Sequence, residues 1–160
     1  MLTINVDITS PMRVFRIMVF LATLNDLITG ADEIYSNYII ALRKKLREAI
    51  ESGDFSSQVI EELTKVIKEL ERIEKNIEKI QDIILIKVEA PSDLSEAIKI
   101  CNTIDEKLEQ VLRDLEKRKF VLSDRELHSL RRIISRYKLG KLINQVYKIW
   151  QSITPSETFV

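Results

Sequence analysis

His128 is the only histidine of the 160-residue chain, and it is the first residue to consider for acid–base or metal chemistry. Neither E-x-x-H nor H-E-x-x-H, the helical patterns of di-iron and zinc sites, occurs in the sequence. The phosphate-binding patterns G-x-x-x-x-G-K-[ST] and G-x-G-x-x-G are absent too, and three scattered glycines could not form such loops. The sequence therefore predicts a protein that is not an enzyme, with no catalytic residue, no metal site and no cofactor.

Acidic side chains are dense between residues 57 and 89, where they could in principle hold a divalent cation. Lysines are interleaved with them, and Glu61–Lys65 and Glu71–Lys75 have the favourable order for i,i+4 pairs on a helix. Such pairs contribute about 0.2–0.5 kcal/mol each and are typical of a solvated face. We therefore expect solvent, and not a metal ion, around Glu61, Glu62, Glu69, Glu71, Glu74 and Glu78.

Cys101 is the only cysteine, which excludes an intramolecular disulfide and a site with several cysteine ligands. It stands on an apolar stripe, so the sequence predicts a buried and unreactive thiol. A lone cysteine suits a reducing compartment, and no segment reaches the roughly 20 continuous apolar residues of a membrane span. We expect a cytoplasmic protein with no membrane contact and no small-molecule substrate.

The best candidate for a binding function is the basic region between residues 117 and 150, in a chain whose formal net charge is zero. This region contains ten lysines and arginines but only two acids, Asp124 and Glu126. Residues 51–116, in contrast, contain seventeen acids and nine bases. This separation of charge favours an anionic partner for the basic region, or attraction between the two parts of the chain.

Within the basic region, three arginines recur at the spacing of one helix face, opposite an apolar face. Arginines in that arrangement suit the phosphates of DNA or RNA, and two helices joined at Gly140 have the layout of a helix-turn-helix. An ordinary helical hairpin, with arginines that are solvated or contact acidic helices of this or a neighbouring subunit, fits equally well. The candidate residues for nucleic acid or another anionic partner are Arg125, Arg132, Arg136, Lys138, Lys141 and Lys148, with Tyr147 and Trp150 nearby.

Helical periodicity dominates the chain and determines the predicted fold. From Ser57 to Glu89 apolar residues recur at alternating spacings of 4 and 3, the heptad pattern of a long helix with one buried stripe. A second amphipathic pattern follows Pro91, and a short loop between two long helices makes them antiparallel neighbours. The heptad stripe consists of Val59, Leu63, Val66, Leu70, Ile73, Ile77, Ile80 and Ile84.

The first nine residues have a different pattern, in which apolar and polar residues alternate with the period of a β-strand. They form either an extended lead-in or an arm that pairs with another subunit through Leu2, Ile4, Val6 and Ile8. A helix is predicted from Pro11, with a kink or break at Gly30. Its broad apolar face consists of Phe15, Met18, Val19, Leu21 and Ala22.

Local signals also mark the ends of several helices. Gly53 is a suitable C′ residue, and Ser123 with Glu126 matches the capping box S-x-x-E, which predicts a helix start. Leu127, Leu130, Ile134 and Tyr137 form the predicted core face of that helix, and Gly140 is predicted to end it.

Together these features predict an all-α protein, a bundle of five to six helices built on a long antiparallel helical hairpin. Residues 1–9 form the arm, residues 10–153 a single domain, and residues 154–160 a tail. The predicted function is that of a non-enzymatic interaction or structural protein, a homo-oligomer or a small subunit of a larger assembly, because the heptad stripe and the arm offer surface that a monomer need not bury. The alternative is a nucleic-acid-binding protein that uses residues 118–148.

Overall fold

The structure is a computed structural model that describes residues 11–85, 91–118 and 120–153. All regular elements within these ranges are helical, which confirms the predicted all-α class. The predicted arm, with Leu2, Ile4, Val6 and Ile8, lies outside the described residues, and so do the tail at 154–160 and the predicted helix end near Glu89.

Within these described ranges, six α-helices and one π-helical segment follow each other. They are α1 (Pro11–Glu33), the π segment (Ile34–Ile40), α2 (Ala41–Glu51), α3 (Ser57–Leu85), α4 (Pro91–Glu116), α5 (Asp124–Arg136) and α6 (Leu139–Ile153). The π segment joins α1 to α2 without a gap, and only two residues separate α5 from α6. The helices therefore make four rods: α1 with α2, α3, α4, and α5 with α6.

Ion pairs and hydrogen bonds fix the directions of the first three rods. Asp32 accepts a hydrogen bond from Gln81 at 3.0 Å, and Arg43 forms an ion pair with Glu74, so the first rod is antiparallel to α3. Lys107 of α4 lies 3.3 Å from Glu69 of α3. Arg118, just after α4, pairs with Glu62 near the start of α3, so these two helices are antiparallel as well.

The fourth rod packs along α4 in the opposite direction. Arg131 of α5 pairs with Glu116 at the end of α4, whereas Asp105 in the middle of α4 bonds the first residues of α6. α6 also packs against α1, with the guanidinium of Arg16 3.4 Å from the carbonyl oxygen of Ser152. The result is an up-down-up-down bundle.

The core lies between the rods and takes up the heptad stripe of α3. Leu63, Leu70, Ile73, Ile77 and Ile80 are buried, and burial of each such side chain contributes about 1.5–3 kcal/mol. The core also receives Ile34, Tyr38 and Ile39 from the π segment and Leu42 and Leu46 from α2. The described part of the heptad stripe is thus used within the chain.

Two predicted helix ends are confirmed. Gly53 has a φ of +76°, the left-handed conformation that glycine adopts more easily than other residues after a helix. The hydroxyl of Ser123 accepts a hydrogen bond from the backbone N–H of Glu126, whose carboxylate accepts one from the N–H of Ser123. The capping box therefore starts α5 as expected.

The predicted break at Gly30 is wrong, because α1 continues through this residue to Glu33. A Cβ atom at Gly30 would lie 3.1 Å from Cδ1 of Tyr137 and 3.3 Å from Cδ2 of Leu139. Gly30 is buried, so the glycine allows α1 to approach the start of α6 closely. The irregularity in this rod is the π segment, which begins four residues later.

The predicted break between the last two helices is present, but it does not lie at Gly140. α5 ends at Arg136, the chain turns at Tyr137 and Lys138, and Gly140 lies in the first turn of α6. A Cβ atom on Gly140 would overlap with the side-chain oxygen of Asn102 in α4. This glycine therefore permits a close contact between α4 and α6.

Candidate functional site

The first three turns of α1 expose an apolar half of the helix to solvent. Met12, Phe15 and Met18 are 63%, 62% and 63% exposed. At 100° per residue, the exposed apolar residues of these turns cover about half the circumference of the helix over roughly 16 Å of its length. We call this surface the outer face of α1; it consists of Met12, Val14, Phe15, Met18, Val19, Leu21 and Ala22.

The predicted apolar face of this helix thus points to solvent and not to the core. Phe15, Met18 and Leu21 are exposed, whereas Phe20 and Leu27 are fully buried. The two sets lie on opposite sides of the helix. Because α1 is apolar on both sides over these turns, the sequence pattern could not show which side the bundle covers.

The position of α3 explains why the outer face is uncovered. Asp32 of α1 lies beside Gln81, which is only four residues before the end of α3 at Leu85. Measured from this contact, α3 continues for only about 6 Å to its described end. In the same direction α1 continues for about 31 Å, because 21 of its residues precede Asp32. The first turns of α1 therefore lie beyond the described end of α3 and pack mainly against α6.

The outer face is large for an exposed apolar surface. Its side chains expose an area of roughly 500 Å², within the range of the patches that mark interaction sites on monomeric proteins. It ends towards the centre of the bundle at the exposed polar residues Asn25 and Asp26. The chain thus has an apolar surface with a defined border.

One helical stretch also passes a test for a membrane span. Judged by length and composition alone, Val14–Glu51 is long and apolar enough to cross a bilayer, although the sequence was expected to contain no such segment. The same stretch supplies Phe20, Leu27, Ile34 and Tyr38 to the core. Only 22% of its apolar window is buried, so it differs from the mostly buried core helices that meet the same criterion; one such helix near the N-terminus, where signal sequences also meet it, is weak evidence for a membrane span.

In the basic region, two arginines contact the acidic helices of the same chain. Arg131 pairs with Glu116 and lies 3.6 Å from Glu109, and Arg118 pairs with Glu62. Attraction between the basic and acidic parts of the chain, one of the two predicted causes of the charge separation, accounts for these two residues.

The candidate arginines of α5 are placed differently. Arg125, Arg132 and Arg136 are exposed, and within the described ranges none of them forms an ion pair. They lie within about 40° of one another around the helix axis, on the side opposite the buried Leu127 and Leu130. We call these three residues the arginine stripe.

The predicted lysines and aromatic residues are not all part of the same surface. Lys138, Lys141 and Lys148 are exposed and have no ion pair among the described residues. Trp150, in contrast, is 3% exposed and belongs to the core, and Tyr147 is half-buried. The structure thus brings arginines together along α5, and the exposed aromatic ring that it describes in the basic region, Phe120, lies before the start of α5 and contacts the ring of Phe55.

A groove of about 860 Å³ lies next to the arginine stripe, between α5 and the first rod. Arg132, Arg136 and His128 line it from α5, and Glu33 and Asn37 line it from the first rod. The guanidinium of Arg136 lies 5.3 Å from the centre of the Tyr137 ring, a cation–π contact that orients this arginine.

Polar groups in the interior of the bundle have structural roles. The hydroxyl of Tyr38 donates a hydrogen bond of 2.6 Å to the carbonyl oxygen of Leu108, and burial raises the pKa of this hydroxyl. Burial likewise raises the pKa of the Cys101 thiol, which keeps it protonated. The carboxylate of Asp105 accepts hydrogen bonds from the backbone N–H groups of Leu139 and Gly140 and caps α6 from the neighbouring helix.

No group of three or more histidine, cysteine or carboxylate side chains suited to a metal ion occurs within residues 11–85, 91–118 and 120–153. The two surfaces that remain as candidates are the outer face of α1 and the arginine stripe. Comparisons of the chain with protein-family models, with curated proteins and with solved structures found no match.

Proposed function

We propose that this protein is a non-enzymatic helical interaction protein that self-associates through the outer face of α1. The observation that carries the proposal is the apolar half of α1 that the described helices leave uncovered. Contiguous apolar surface of this size is a common feature of sites for other proteins, ligands or membranes. In this proposal the antiparallel hairpin of α3 and α4 is the internal scaffold, and α1 provides the contact between subunits.

A second copy of the chain is the occupant that we propose for this surface. Two outer faces of roughly 500 Å² each would bury about 1,000 Å² in total, the lower limit for a specific protein interface. We therefore expect a dimer with a dissociation constant in the micromolar range. Pairing about a two-fold axis brings the same apolar face together from both subunits, so no separate partner is needed.

A lipid surface fits the outer face less well. Helices that lie on a membrane have lysines and arginines along the border of the apolar face. Here the face ends at Asn25 and Asp26, and the guanidinium of Arg16 is directed to the carbonyl oxygen of Ser152. A helix that crossed the membrane would also remove Phe20 and the buried residues after it from the core.

Sedimentation velocity from about 1 to about 200 µM tests the proposal. The wild type should approach twice the mass of the chain with rising concentration. Met18→Glu places a carboxylate near the middle of the outer face in each subunit. Each substitution removes about 1.5–3 kcal/mol of apolar burial from the dimer, so the dissociation constant should rise at least about 100-fold.

Ile40→Glu is the matched control, because Ile40 is an exposed apolar residue of the same rod outside the outer face. This variant should associate like the wild type. A wild type that stays monomeric throughout the range contradicts the proposal, and so does equal disruption by both variants. Flotation of a monomer with phosphatidylcholine vesicles, abolished by Met18→Glu, would assign the outer face to lipid and also overturn self-association.

A further inference from the structure

We propose that α5 binds the phosphate backbone of a nucleic-acid duplex, without reading its sequence, through the arginine stripe. This inference concerns a surface other than the outer face of α1 and does not depend on self-association. Two observations carry it: the charges that are unpaired among the described residues, and their alignment on one helix.

Ion pairs within the chain separate two classes of arginine. Most arginines that approach another helix have an acidic partner there: Arg43 with Glu74, Arg47 with Glu71, Arg118 with Glu62, and Arg131 with Glu109 and Glu116. The three arginines of the stripe have no such partner among the described residues, although the chain as a whole contains as many acids as bases. The positive charge of α5 is thus available to an anion from outside.

The geometry of the stripe suits a linear polyanion. From Arg125 to Arg136 it extends about 16 Å along the helix axis, and its side chains lie within about 40° of one direction. Duplex DNA carries one negative charge per about 1.7 Å of its axis, so a stripe of this length is long enough to contact several phosphates. The exposed Lys138 and Lys141 follow directly after α5 and add two further charges near its end.

Helix α5 is also held firmly in place. Its apolar side is buried through Leu127, Leu130 and Ile134, and the capping box fixes its first turn. One of the two acids of the basic region, Glu126, is engaged in that cap and lies 3.2 Å from Lys45. The arginines are therefore presented by a rigid support, which limits the entropy lost when phosphates bind.

Burial of the aromatic residues favours a duplex over a single strand. Proteins that bind single strands stack the bases on exposed aromatic rings, but Trp150 is in the core and Tyr137 is half-buried below Arg136. The exposed ring of Phe120 precedes α5 and already contacts the ring of Phe55. α6 buries Leu139, Ile143 and Val146 in the bundle, so we expect the main contacts with the phosphate backbone from α5, with Lys138 and Lys141 beside its end.

Fluorescence anisotropy with a labelled DNA duplex of about 20 base pairs, at about 50 and about 200 mM salt, tests the inference. Each phosphate contact contributes about 0.9 to the slope of log K against log salt, so the wild type should give a slope of about −3 or steeper. The triple variant Arg125→Gln, Arg132→Gln, Arg136→Gln should reduce the magnitude of that slope by about 3, and Arg132→Gln alone by about 1.

The matched control removes the same charge from other exposed bases. Lys65, Arg72 and Arg113 lie on α3 and α4 and make only local pairs at spacings of three or four residues. Their triple glutamine variant should keep a slope within about 1 of the wild type. Circular dichroism should show the same helix content for both triple variants, because all six positions are exposed.

Binding of a duplex RNA of equal length, in a parallel titration, supports the inference and identifies which duplex is preferred. No anisotropy change at about 50 mM salt would overturn it. Two other results would also overturn the inference. One is an equal loss of slope in the two triple variants, and the other is tighter binding of a single-stranded DNA of equal length than of either duplex.

Discussion

The cap that Asp105 provides to α6 is a contact between helices that one substitution can test. Oδ1 accepts a hydrogen bond from the N–H of Leu139 at 3.1 Å, and Oδ2 accepts one from the N–H of Gly140 at 2.8 Å. These N–H groups belong to the first turn of α6, where the helix itself supplies no acceptor. Asp105→Ala leaves both without this partner, and we expect it to lower the free energy of unfolding by about 1–3 kcal/mol.

The direction of the pKa shift of Asp105 adds a second part to the prediction. Burial raises this pKa more than the hydrogen bonds from Gly140 and Leu139 and the charge of Lys138 lower it. A carboxyl group with a raised pKa in the folded state binds its proton more tightly there than in the unfolded chain. Its contribution to stability is therefore complete below the unfolded pKa and decreases as the pH rises through the folded pKa.

Asp105→Asn lacks this titration and has nearly the same shape, so it isolates the effect. The free energy of unfolding of the wild type minus that of Asp105→Asn should decrease as the pH rises from the ordinary pKa of an aspartate, about 4, through the raised pKa of the folded state. Other carboxyl groups occur in both proteins and cancel, including Glu126, whose pKa the N–H of Ser123 lowers. Urea denaturation followed by circular dichroism at each pH measures the difference.

Asp114→Ala, at an exposed acid of the same helix, is the control and should stay within about 0.5 kcal/mol of the wild type. A stability for Asp105→Ala equal to that of this control would refute the capping role. A difference between the wild type and Asp105→Asn that increases with pH would refute the argument from burial.

Two further substitutions test other contacts. Tyr38→Phe removes the buried hydrogen bond to Leu108 and should lower the free energy of unfolding by about 0.5–1.5 kcal/mol, whereas Tyr35→Phe in the same π segment should change it little; equal effects in urea denaturation would contradict this. Ser123→Ala removes the hydroxyl that accepts from Glu126, so the midpoint of thermal unfolding should fall, corresponding to about 0.5–2 kcal/mol; an unchanged midpoint would show that the cap is not needed.

The features that the sequence predicted well are those with a local cause. The heptad spacing depends only on residues three or four positions apart, and the helix of Ser57–Leu85 buries five of the eight residues of its stripe, Leu63, Leu70, Ile73, Ile77 and Ile80. The capping box of Ser123 and Glu126 likewise spans four residues and determines the start of α5.

The orientation of α1 depended on a distant part of the chain and was not predictable in the same way. Its apolar residues occur on both sides of the helix, so periodicity could not distinguish Phe20, which is buried, from Met18, which is exposed. The choice follows from where α3 ends relative to Asp32, and that is a property of the assembled bundle.

The two glycines that were expected to interrupt helices also depend on contacts with distant parts of the chain. Glycine weakens a helix locally, but it also allows two helices to approach closely. At Gly30 and Gly140 the contacts with Tyr137 and Asn102 explain the glycine, and neither contact is visible from neighbouring residues in the sequence.

In the basic region, contacts with other helices determine which arginines form ion pairs and which do not. Arg131 and Arg132 are adjacent in sequence, but they point about 100° apart around α5. Arg131 meets Glu109 and Glu116 of α4, whereas Arg132 is exposed and has no acidic partner among the described residues. The helical spacing placed the arginine stripe on one face and Arg131 outside it, but it could not show that Arg131 contacts the acids of α4.

Self-association through the outer face of α1 can be measured most directly on its own methionines. Met12 and Met18 lie on this face, and the chain contains only one other methionine. In NMR spectra of methyl-labelled methionine, both signals should be shielded from a soluble paramagnetic agent at high protein concentration and should become accessible on dilution. Equal broadening of both signals at every concentration would mean that the outer face stays in solvent, and would contradict the proposed dimer.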